Sequence, residues 1–149
     1  VHKAAVDADI VVMAAAVADF RPVNRADHKI KKSDRDPDPV ALTRNPDVLA
    51  ELVAARRDGH LPAGQVIVGF AAETGDESGD VLTHARAKLA RKGCDLLVVN
   101  AVGEGQAFEV EDNAGWLLAA DGTERRIALG SKAQMAFEIW DFLYNARSA

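Results

Sequence analysis

Residues 65–72 read "QVIVGFAA", an apolar run with no polar side chain after Gln65. A half-exposed strand would alternate apolar and polar residues. An unbroken run fits a strand covered on both faces, as in a parallel sheet packed between helices. Two further runs, "DIVVMAAAV" (9–17) and "CDLLVVNAV" (94–102), have the same character. Helical patterns lie between them. "NPDVLAELVAARRDG" (45–59) offers Asn45 as N-cap and Pro46 at the first helical position, then the apolar set Val48, Leu49, Leu52 and Val53, with Gly59 as a stop. "SGDVLTHARAKLARKG" (78–93) puts Leu82, Ala85 and Leu89 on one stripe and ends at Gly93. Strand alternating with helix predicts a layered α/β domain with a mostly parallel sheet.

The C-terminal part changes character. In "GWLLAADGTERRIAL" (115–129) the pair Asp121-Gly122 separates two strand-like runs, which predicts an antiparallel hairpin. "SKAQMAFEIWDFLYNA" (131–146) starts with Ser131 as a cap and repeats Met135, Ile139 and Leu143 at helical spacing. Residues 24–44, "NRADHKIKKSDRDPDPVALTR", show no helical period. Extended pieces around "HKIKK" and "VALTR" flanking an Asp/Pro-rich turn predict a projecting β-arm. The opening "VHKAAVDAD" reads as the tail of a helix feeding a buried strand, so the chain is expected to begin inside a larger fold.

Composition narrows the function classes. A chain of 149 residues, 48% hydrophobic and 28% charged, has the size and make-up of one globular domain, here residues 1–149. Its net charge of −5 provides no overall basic field for nucleic acid, so any positive charge that matters is local. Cys94 is the single cysteine, and His2, His28, His60 and His84 lie too far apart in sequence for a zinc motif. No run of about 18 apolar residues would span a membrane, and there is no secretory signal pattern, so a cytoplasmic setting is expected. Neither G-x-x-x-x-G-K-[ST] nor G-x-G-x-x-G occurs, which argues against a Walker-type or standard dinucleotide site.

The candidate ligands gather at predicted strand ends. Asp19 follows the first strand, where open α/β sheets bind their ligands, and suits Mg²⁺ or a nucleoside hydroxyl as well as a plain turn. Lys29, Lys31 and Lys32 are point charges for phosphate, or else solvated lysines guarding a sheet edge. The segment "RNPDVL" (44–49) presents a helix N-terminus, an anion site unless Asp47 merely answers the helix dipole. Phe70, beside Gly69, offers a ring face for a planar base or a core contact. Lys88 and Lys92 share a helix face with Arg91 beside them, and become phosphate ligands only if that face looks toward Asp19 and Lys29. Cys94 reads as a buried small apolar residue.

In order, "AAVADFRP", "KIKK", "NPDVL", "GFAAET", "ARAKLARKGCDLLVVNAVG" and a "F…DN" loop resemble the bacterial phosphopantothenoylcysteine synthetases, the phosphopantothenate-cysteine ligases of coenzyme A biosynthesis. The resemblance runs over nearly the whole chain. It implies a three-layer Rossmann-like α/β domain that joins 4'-phosphopantothenate to L-cysteine with CTP as co-substrate, through an acyl-cytidylate. It further implies a CTP site formed by Ala14, Ala15, Asp19, Lys29, Pro46, Asp47, Val48, Leu49, Phe70, Lys88 and Lys92, with Lys29 catalytic and Asp19 toward Mg²⁺. A homodimer through the 24–44 arm is implied, as is fusion to an upstream phosphopantothenoylcysteine decarboxylase domain, with no flavin in this segment. The family's upstream Gly-rich turn and Asn/Ser/Gly-rich segment are not among these residues, so turnover by this chain alone is not expected. A nucleotide-binding module without turnover, and more remotely a flavin- or NAD-dependent oxidoreductase, remain the alternatives.

Overall fold

A computed structural model describes residues 1–29, 39–73, 79–101 and 112–148. Its elements in chain order are α1 (His2–Ala5), β1 (Ile10–Met13), β2 (Phe20–Pro22), β3 (Leu42–Arg44), α2 (Val48–Arg57), β4 (Val66–Glu73), α3 (Val81–Lys92), β5 (Leu96–Ala101), β6 (Asp112–Ala119), β7 (Glu124–Ser131) and α4 (Lys132–Ser148). Five strands make one sheet in the order β1-β4-β5-β6-β7. β1, β4 and β5 pair in parallel, whereas β6 is antiparallel to both its neighbours. Four of the five strands therefore run in one direction, with β6 alone reversed.

Period-2 alternation sends the buried strand residues into two cores. Ile67, Leu97, Val99 and Leu118 pack beneath α2 and α3 around Leu52 and Ala85. On the other face Val68, Leu96, Val98, Leu117 and Ile127 meet Met135, Ile139, Phe142 and Leu143 of α4. The result is the expected three-layer α/β arrangement, helices on both faces of a mixed sheet. Ser131 caps α4 by accepting from Gln134 N at 3.2 Å, and Asp121-Gly122 turns the β6–β7 hairpin, both as read from the sequence. Gly93 ends α3 at φ +68°, a left-handed cap that glycine adopts without strain. No helix among the described residues is long and apolar enough to cross a membrane.

The amino-terminal edge of the sheet is tied by a polar knot. Gln65, 2% exposed, donates from Nε2 to Ala5 O and Ala8 O, each at 2.6 Å. Arg56 Nη1 donates to Gln65 O and to Asp95 Oδ2, each at 2.5 Å. The same Asp95 oxygen accepts from Ile67 N at 2.7 Å. This network holds α2, β4 and β5 in register at the end opposite the cleft described below.

Two local expectations are corrected, and a third falls partly outside the described residues. The strand expected over 9–17 ends at Met13, where pairing with Gly69 stops; the chain then leaves the sheet through a tight turn closed by Val17 N donating to Ala15 O at 3.0 Å. As a sheet edge in these residues, β1 is not covered on both sides, and Val12 is 38% exposed. Of the arm's two extended pieces, "VALTR" supplies Leu42–Arg44, which pairs with Phe20–Pro22, while residues 30–32 of "HKIKK" lie outside the described part. Finally, Asp47 and not Asn45 caps α2, and Pro46 precedes the helix, because the Asn45 side chain is used elsewhere.

Candidate functional site

Because β1, β4 and β5 are parallel, their carboxyl ends emerge at one edge of the sheet, and a cleft of about 560 Å³ opens there. One wall is the segment leaving β1, with Ala15 to Phe20. A second is Arg44 to Leu49, leading into α2. Phe70, Ala71 and Ala72 of β4 contribute a third, and Lys88, Arg91 and Lys92 of α3 a fourth. Among the described residues four cations, Arg44, Lys88, Arg91 and Lys92, line this cleft against two carboxylates, Asp19 and Asp47. Such a surplus favours a polyanion.

Asn45 joins the first two walls. Its backbone N–H donates to Asp19 O at 2.8 Å, its Nδ2 donates to Ala18 O at 2.7 Å, and its Oδ1 accepts from Arg21 Nη1 at 2.9 Å. Arg21 Nη1 also donates to Arg44 O at 3.1 Å. These bonds fix the Asp19 segment beside the N-terminus of α2. The helix rests close on the sheet at that point: a Cβ on Gly69 would stand 2.7 Å from Leu49 Cδ2, so glycine lets Leu49 lie over β4 without its side chain shifting.

Asp47 caps α2 by accepting from Ala50 N at 3.2 Å through Oδ1, and its Oδ2 accepts from Lys92 Nζ. Burial pushes this carboxyl up. The bonds from Lys92 and Ala50 and the charges of Lys92 and Arg91 outweigh that effect, holding it below its ordinary value. One turn earlier on α3, Lys88 Nζ donates to Glu73 Oε1 at 2.6 Å. The two lysines are 29% and 19% exposed, so neither is an ordinary solvated surface lysine. Phe70 both packs against the α4-side core and lines the cleft, so the core and binding readings of this ring coexist.

The cleft thus brings together Ala15, Asp19, Pro46, Asp47, Val48, Leu49, Phe70, Lys88 and Lys92 from the sequence-based set. Ala14 and Lys29 are not among its lining residues; Lys29 is exposed, at the last described position before the arm's tip. Sequence reasoning missed Arg44 and the tethering role of Asn45. The latter depends on a partner 27 residues away and leaves no local signature. Glu73 lay in a quoted motif without a role, because its partner on α3 is visible only in the folded chain. Cys94 is fully buried, and burial raises its thiol, as befits an inert core residue.

A family model described as the DNA/pantothenate metabolism flavoprotein C-terminal domain matches residues 1–146. The chain belongs to this family. Among curated members, the coenzyme A biosynthesis bifunctional protein CoaBC of Mycolicibacterium smegmatis is 64% identical over 141 residues, covering 95% of this chain and 34% of that protein. CoaBC of Vibrio vulnificus is 43% identical over 136 residues, covering 89% of this chain and 31% of its own length. The chain therefore spans about a third of the length of these relatives. The crystal structure of the C-terminal domain of a CoaBC superposes with a TM-score of 0.66 at 26% identity, covering 95% of this chain and 56% of that one. A Streptococcus pneumoniae family structure gives the same TM-score, 0.66, at 12% identity, a likeness of fold alone. This domain family and its α/β fold agree with the resemblance read from the sequence.

Proposed function

We propose that this chain forms the CTP-binding part of a phosphopantothenate-cysteine ligase in coenzyme A biosynthesis, acting beside a decarboxylase domain in a cytoplasmic bifunctional protein. The observation that carries this reading is the convergence of Asp19, the α2 N-terminus, Lys88 and Lys92 on one cation-lined cleft at the carboxyl edge of parallel strands. A helix N-terminus and ammonium groups are the donors a polyphosphate requires. Phe70 beside them offers a ring for the base.

In the proposed reaction a carboxylate oxygen of 4'-phosphopantothenate attacks the α-phosphorus of CTP. The bond from that phosphorus to the bridging oxygen breaks, and pyrophosphate leaves. The cysteine amine then attacks the acyl carbon, giving the amide and CMP. Charge accumulates on phosphate oxygens in the first step, where Lys88, Lys92 and the α2 N-terminus stabilise it electrostatically. Mg²⁺ would be held mainly by substrate oxygens: no cluster of three acidic, His or Cys ligands exists among the described residues, but one carboxylate beside the substrate suffices, and Asp19 would supply it. When bound, the ion neutralises phosphate charge.

Lys29 is assigned to the α-phosphate of a neighbouring protomer, delivered by the arm. Apolar side chains left exposed at the arm's base, Phe20 at 53%, Val23 at 55%, Val40 at 68% and Leu42 at 59%, support docking of the arm on a second copy. In the full-length protein, Lys29→Gln should lower acyl-cytidylate formation by roughly 100-fold or more while circular dichroism stays unchanged. Normal turnover by that variant would remove Lys29 from the mechanism.

A further inference from the structure

The cleft's lysines are already engaged by carboxylates of the chain itself. Lys92 holds Asp47, whose other oxygen caps α2, so that pair has a structural duty. Among the described residues Glu73 has no such duty. It ends β4 and is 18% exposed, and its carboxylate accepts from Lys88 Nζ at 2.6 Å. Lys88 lines the cleft, whereas Glu73 is not among its lining residues.

We propose that Glu73 sets the affinity of the cleft for polyphosphate, by occupying Lys88 in the free protein and repelling the phosphates that later take its place. This rests on the reading of the cleft as a phosphate site. An ammonium carries three donors, so Lys88 can meet a phosphate either by leaving Glu73 or by bridging the two anions. Leaving strands a part-buried carboxylate without its counter-charge. Bridging keeps two negative groups within a few ångströms of each other across one ammonium. Both routes weaken binding relative to a neutral acceptor in the same place. A glutamine at 73 would still accept the hydrogen bond from Lys88 but would drop the charge. For a ligase that must release pyrophosphate after each turnover, a counter-charge paired with the phosphate-binding lysine limits how tightly that product is held.

The test is calorimetric titration of this chain and of Glu73→Gln with inorganic tripolyphosphate, then with CTP and Mg²⁺. Glu73→Gln is expected to bind both about tenfold more tightly, and the gain should vanish in the double variant Glu73→Gln/Lys88→Met. Glu73→Asp, which keeps the charge, should stay near the parent. Equal or weaker binding by Glu73→Gln overturns the proposal, as does failure of tripolyphosphate to bind either protein. Should tripolyphosphate bind with the expected gain while CTP does not, the role of Glu73 stands and the assignment of the nucleotide falls.

Discussion

The parallel and antiparallel halves of the sheet use similar apolar sequences to different ends. In the first half, β1, β4 and β5 run the same way, so the segments following them meet at one edge. Every described residue lining the cleft falls between Met13 and Leu97. In the second half β6 reverses, its hairpin turn at Asp121-Gly122 comes out at the other edge, and residues 112–148 give the cleft no wall. What they give is core: Leu117, Ile127 and four α4 side chains complete the packing under Val68, Leu96 and Val98. Strand direction, more than composition, divides the molecule into a part that holds ligands and a part that holds the first part together.

Substitutions in the two halves should therefore separate stability from binding. The largest expected effect is in the antiparallel half. Leu117→Ala removes a fully buried side chain and should cost about 2–5 kcal/mol of folding free energy in denaturant titrations, while the affinity of the folded fraction for CTP is kept. A matching loss of affinity would show that the halves are not separable. Lys88→Met is the converse. It should lower CTP affinity by roughly 10- to 100-fold, the value of a charge-assisted hydrogen bond, with a loss of folding free energy smaller than that of Leu117→Ala, since it leaves only the part-buried Glu73 carboxylate without its counter-charge. Unchanged affinity would take Lys88 out of the site.

The smallest effect sharpens the boundary of the cleft. Asp47 has its folded carboxyl held below 3.8, so its ion pair and cap stabilise the fold fully above that pH. The contribution is lost as pH falls through the lowered folded value. Its side chain is 48% exposed, which keeps the gain under about 1 kcal/mol. The parent should be more stable than Asp47→Asn at neutral pH, and the gap should narrow as acid titration proceeds below 3.8. A gap that is constant with pH would mean that capping alone, without the charge, accounts for it.

Much of this division was legible in the sequence. Unbroken apolar runs marked β4 and β5 as central strands, and Asp121-Gly122 with Ser131 marked the hairpin and its following helix. The positions of Lys88 and Lys92 on one helix face were legible too, though not what that face meets. What stayed hidden was tertiary. The first apolar run stops pairing at Met13 because the neighbouring strand and the turn at Ala15–Val17 redirect it, and alanines give no local sign of that. Asn45 looked like the helix cap because cap propensity is local, whereas its side chain is drawn to Ala18 and Arg21. Glu73 gained a role only once α3 brought Lys88 to it.

The claim on which the rest depends is that the cleft of the parallel half takes CTP. Calorimetric titration of this chain with CTP and with ATP, each with Mg²⁺, tests it most directly. Saturable binding of CTP without binding of ATP is the predicted result; equal binding of the two nucleotides, or binding of neither, would contradict it.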